Sequence, residues 1–127
     1  MATAIFGESG HRIVLSDGDQ IVTVESSIGT VTSGVHAMGY GFQKFLDDLE
    51  ILNKTLRGSA SFRTLEHEFA VKFSSDITGH ITAQVEIRDI LADTRFETRV
   101  TKDQTYLQPF LADARKLRLT TTEWDRA

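Results

Sequence analysis

The sequence contains no cysteine and only one proline. Without cysteine there can be no disulfide, thiolate nucleophile or cysteine-ligated zinc. This also fits a reducing compartment, so the cytoplasm is the expected location. A single proline argues against long linkers. No run of about 18 apolar residues occurs, so no transmembrane helix is expected. Met1 to Glu8 has neither a basic region nor a long apolar core, and no secretory signal is expected there. Sequence signatures of catalysis are missing as well. There is no G-x-S-x-G elbow and no H-E-x-x-H, and Gly39-Tyr40-Gly41 is not followed by the Lys-Ser/Thr of a phosphate loop. The chain is therefore expected to be non-catalytic and to carry no cofactor.

The composition is that of an ordinary globular chain. Forty per cent of its 127 residues are hydrophobic and 25% charged, enough for one domain with a real core. Residues 1–119 are expected to form that domain and residues 120–127 a tail. Trp124 in this tail either folds back onto the body or meets a partner. The net charge of −4 disfavours sequence-independent nucleic-acid binding, which needs clustered Lys and Arg. It suits a basic partner, although plain solubility explains it equally well.

The most regular stretch runs from Phe62 to Thr101. Leu65, Phe69, Val71 and Phe73 are apolar, and Glu66, Glu68 and Lys72 alternate with them. Successive strand side chains point to opposite faces, so this pattern buries one face and wets the other. Ser74 to Gly79 makes a turn. Ile81, Ala83, Val85 and Ile87 then oppose His80, Thr82, Gln84, Glu86 and Arg88. Leu91-Ala92-Asp93 makes a second turn, after which Phe96, Thr98 and Val100 oppose Arg95, Glu97, Arg99 and Thr101. The pattern predicts a three-stranded antiparallel meander. A one-residue slip would drive a whole apolar row into water, so its register is firmly specified.

Upstream, Ile5-Phe6 opens a short strand, and Arg12 to Glu25 predicts a hairpin around Ser16-Asp17-Gly18-Asp19. Thr30 to Met38 is β-rich. Phe42, Phe45, Leu46, Leu49, Leu52 and Leu56 recur at helical spacing and define an amphipathic helix, with Gly58 as its C-terminal cap. Leu107, Phe110, Leu111, Ala114 and Leu117 form a second helical stripe. Pro109 places its regular start near Gln108. The expected fold is α+β: an antiparallel sheet of about six strands with both helices on one face.

Glu66-His67-Glu68-Phe69-Ala70-Val71, then Asp76-x-x-Gly79-His80-Ile81, then alternating Val85 and Ile87, resembles a family of small bacterial domains. Its members share an E-x-E-L-x-L strand, a D-x-x-G-H-V/I turn and a closing helix, and include the WapI-like immunity proteins of polymorphic and contact-dependent toxin systems. The resemblance spans Phe42 to Leu117. It departs at Phe62, where relatives often carry Trp, and in the Leu56 to Ser61 linker, which lacks their W-x-G. It implies a binding protein that neutralises a cognate toxin by stoichiometric occlusion.

The residues expected to contact that partner are Asp47, Asp48 and Glu50 on the first helix, and Glu66, Glu68, Glu86 and Glu97 on the wet face of the meander. Each acidic group also reads as a solvated face. Asp76, Gly79 and His80 are expected to shape the first meander turn, with the His80 ring bonding Asp76 or a nearby carbonyl. Of the four histidines, His67 and His80 flank that turn, but their opposite parity and spacing match no zinc pattern, so no metal site is expected. Two other readings stand beside the first. One is a structural or homo-oligomeric module, such as a homodimer, that pairs with itself through an exposed sheet face or edge; the other is an enzyme or small-ligand carrier with a pocket between sheet and helices.

Overall fold

The computed structural model describes residues 2–18, 20–34, 41–64, 68–89 and 91–119. Among these residues, eight strands and two helices follow one another in two blocks. The first is a meander of β1 (Thr3–Glu8), β2 (His11–Ser16), β3 (Ile21–Ser26) and β4 (Gly29–Gly34). Helix α1 (Phe42–Thr55) leads to a second meander of β5 (Ser59–Arg63), β6 (Phe69–Ser75), β7 (His80–Asp89) and β8 (Thr94–Asp103). A single 3-10 turn (Gln104–Tyr106) then enters α2 (Leu107–Ala114). Each meander forms its own four-stranded antiparallel sheet, in sequence order.

The fold is α+β as expected, but the expected single sheet of about six strands is corrected to two sheets of four. Much of the difference lies between Ala60 and Phe73. Ala60 and Phe62 are buried at even positions, whereas Phe69, Val71 and Phe73 are buried at odd ones. One continuous strand cannot bury both sets. The chain instead reverses after Thr64, pairing Phe62 with Val71 and Ala60 with Phe73. Thr64 is itself buried. Its backbone N–H donates to the Phe69 carbonyl (3.0 Å), and its hydroxyl accepts from Phe69 N–H (3.2 Å).

The helices also do not share one sheet face: α1 packs chiefly on β5 and α2 chiefly on β1. Both sheets turn their apolar faces toward one core. Phe6 of β1 meets Phe73 of β6 at 5.1 Å and Phe110 of α2 at 6.2 Å between ring centroids. Phe45 of α1 lies 5.7 Å from Phe62 and 5.9 Å from Phe73. Helices and first sheet therefore lie on the inner side of the second sheet, whose outer face carries the polar half of its alternation.

Local chemistry accounts for the ends of α2 and α1. The Asp103 carboxylate accepts from Thr105 N–H (2.9 Å), opening the 3-10 turn. Pro109 falls at the third position of α2, inside the first turn, where no intrahelical donor is lost. Leu56, rather than Gly58, takes the left-handed turn that ends α1, its N–H returning to the Leu52 carbonyl at 2.8 Å.

Candidate partner-binding surfaces

The acidic residues of α1 line its solvent side but are partnered within the chain. Arg115, just beyond α2, bridges Asp47 (3.0 Å) and Glu50 (2.9 Å) and so ties the two helices. Lys44 holds Asp48 at 2.9 Å one turn away. Ile51 sits at the centre of this face, three and four residues beyond Asp48 and Asp47, and is 58% exposed.

The meander acids lie elsewhere. Glu86 and Glu97 face each other directly across β7 and β8, and Arg95 approaches both, at 3.7 and 3.5 Å. Glu68 precedes β6, where its carbonyl accepts from Arg88 N–H (2.9 Å). Glu66 lies outside the described residues. Because α1 covers the inner side of the second sheet while Glu86 and Glu97 occupy the outer side, the two acidic groups are on opposite sides of that sheet. They do not form one patch.

The outer face is indented where Ala70 interrupts a row of long side chains. The depression has a volume of about 380 Å³. Arg63 and Lys72 line it from β5 and β6, and Gln84, Glu86 and Glu97 from β7 and β8. Lys72 and Arg99 make no ion pair among the described residues.

The turn between β6 and β7 is organised by one carboxylate. Asp76 Oδ1 accepts from Thr78 N–H (2.9 Å), the Thr78 hydroxyl (2.7 Å) and His80 N–H (3.0 Å). Its Oδ2 lies 3.2 Å from His80 Nδ1. Donation from the Thr78 hydroxyl, and then from His80 N–H, favours the ionised form and lowers the Asp76 pKa from 3.8 to about 2. Gly79 completes the turn at φ +90°, a conformation open to glycine. The imidazole is thus engaged locally, with both the Thr78 hydroxyl (2.8 Å) and Asp76 beside it. Among the described residues no cluster of three or more His, Asp or Glu is arranged to hold a metal. His36 and His67 lie outside them, as does Trp124.

Two long-range polar clusters escaped the sequence reading. At the β2–β3 turn, the Asp17 carboxylate accepts from Ala2 N–H (2.8 Å) and Arg118 N–H (3.0 Å). These bonds, the one from Ala2 foremost, lower its pKa. Gln20, 5% exposed, donates its amide to the carbonyls of Asp17 (2.6 Å) and Arg118 (3.2 Å). At the other end of the first sheet, Lys102 pairs with Glu8 (2.8 Å) and lies over the Tyr106 ring. The spacing of Ser16-Asp17-Gly18 signals a turn and nothing about partners a hundred residues away.

No helix among the described residues is long and apolar enough to cross a membrane. No curated protein and no solved structure matches the chain. A family model described as the immunity protein WapI-like family matches residues 20–119. That span takes in α1, the whole second meander and α2, and reaches back through β3 and β4. The chain belongs to the WapI-like immunity protein family.

Proposed function

We propose that this protein is a non-catalytic immunity protein that binds a cognate bacterial toxin and blocks it by stoichiometric occlusion, acting in the cytoplasm. Family membership over residues 20–119 carries this reading. The partner contact is assigned to the exposed face of α1. There the aliphatic Ile51 stands among Asp47, Asp48 and Glu50, an apolar anchor inside a charged rim, as protein interfaces commonly have. The acids would set association rate and specificity toward a basic toxin surface more than raw affinity.

A rescue assay tests the function. The adjacent reading frame is expressed in a naive host with and without this protein. Toxicity relieved only by this protein supports the reading, and killing that persists beside confirmed folded protein sinks the pairing. Site placement is tested separately. Joint Asp47→Lys, Asp48→Lys and Glu50→Lys substitution, or Ile51→Glu alone, should reduce capture of the partner at least tenfold. Unchanged capture would move the contact off α1.

A further inference from the structure

The outer face of the second sheet has a charge order that an ordinary wetted face does not need. Strand register sorts it into rows running β5, β6, β7, β8. One row reads Arg63, Ala70, Glu86, Glu97, and the next reads Ser61, Lys72, Gln84, Arg99. Beyond the first, Glu68 precedes β6 beside Arg88 and Arg95. Like charges therefore face each other directly on β7 and β8, Glu86 against Glu97 and Arg88 against Arg95. Such pairs are unfavourable within a single sheet, and within the chain only Arg95, reaching both glutamates at 3.7 and 3.5 Å, offsets the first among the described residues. In the same two rows, β5 and β6 carry the opposite charge: Arg63 opposite the glutamates and Glu68 opposite the arginines. The pattern changes sign across the line between β6 and β7.

A surface that changes sign across a line is complementary to itself after a two-fold rotation about that line. We propose that this face is the contact between two copies of the chain, stacked sheet on sheet, with the two-fold axis running along the strands between β6 and β7. Each Arg63 then faces the partner's Glu97, and each Glu68 the partner's Arg88. Each Ala70 faces the partner's Glu86. The 380 Å³ depression over Ala70, walled by Arg63 and Lys72 on one side and by Glu86 and Glu97 on the other, receives that carboxylate on its cationic side. In the next row Lys72 meets the partner's Gln84 and Arg99 the partner's Ser61, so no like charges are opposed. The next row, of Ser59, Ser74, Thr82 and Thr101, is uncharged, and the last pairs His80 with Asp103 at the end of the sheet. Packed sheets stand about 10 Å apart, within reach of paired Arg and Glu side chains. The interface is isologous, as closed homodimers require. It leaves α1 of each copy uncovered, so one dimer could hold two toxins.

The test is sedimentation velocity on the full chain over a concentration series at low and high salt. A reversible dimer is expected, weakened by salt. Arg63→Glu and Glu97→Lys should each raise the dimer Kd at least tenfold, and the double variant should recover most of that loss, because the exchanged charges meet again across the axis. A readout independent of charge comes from Gln84→Cys. The chain has no other cysteine, so a short bismaleimide should join two copies through that residue. A chain that is monomeric at every concentration overturns the proposal. So does a dimer indifferent to both single substitutions, a double variant no better than the singles, or a Gln84→Cys protein that stays uncoupled while dimeric.

Discussion

Asp76 shows how much one side chain can organise. Its carboxylate collects three donors across the β6–β7 turn, so the turn is favoured while that carboxylate is ionised. Its folded pKa of about 2 lies below the ordinary 3.8, so the contribution is fully present above pH 3.8 and fades as pH falls toward 2. Asp76→Asn should therefore lower the urea midpoint at pH 6 and matter little near pH 2, which paired melts at the two pH values would reveal. Gly7 offers a steric counterpart. It sits at φ +114°, and a Cβ there would come within 2.2 Å of the His11 carbonyl oxygen. Gly7→Ala should destabilise the fold by more than roughly 1 kcal/mol, read as a lower thermal midpoint. The roles of Asp76, Gly79 and His80 were legible because turn chemistry is local. Those of Asp17 and Gln20 were not, because their partners Ala2 and Arg118 lie far off in sequence and are set only by the finished fold.

The individual strands and helices were mostly legible for the same reason. The Ser16 to Asp19 turn signal identified β2 and β3, alternation identified β7 and β8, and a 3.6-residue period identified α1 and α2. The break inside Phe62 to Phe73 was also written in the sequence, as the switch of buried residues from even to odd positions. Both halves nonetheless carry the pattern of a strand. Thr64 holds this hairpin: its hydroxyl is the partner of the buried Phe69 N–H. Thr64→Val keeps the shape and orphans that donor, which should cost about 1–3 kcal/mol, measurable by chemical denaturation. Sheet assignment was beyond local patterning. Nothing in β4 or β5 says that the two strands decline to pair. That follows from the helix between them and from two apolar faces needing the same core.

At the scale of the whole molecule, that shared core decides stability. Phe6 touches the second sheet through Phe73 and α2 through Phe110. Phe6→Ala should destabilise by about 3–5 kcal/mol and lower one common transition. Circular dichroism and phenylalanine-sensitive near-ultraviolet signals should move together, whereas separate transitions would show two independent sheets. The candidate binding residues were legible as acids with a wet face, but their distribution was not. Only the packing of α1 on the inner side of the second sheet separates Asp47, Asp48 and Glu50 from Glu86 and Glu97. The charge order of the outer face needed strand register across four strands, which no single stretch contains.

The Asp17 carboxylate that holds Ala2 and Arg118 together also makes the fold close to a ring. The backbone at residue 2 and at residue 118 meets on one side chain, so a short glycine-rich bridge could join them without crossing the body. The chain could then be reopened at the β6–β7 hairpin tip, where Ile77 is 97% exposed. Such a circular permutant should fold to the same two sheets, and would separate what the order of the elements contributes to folding from what their contacts contribute.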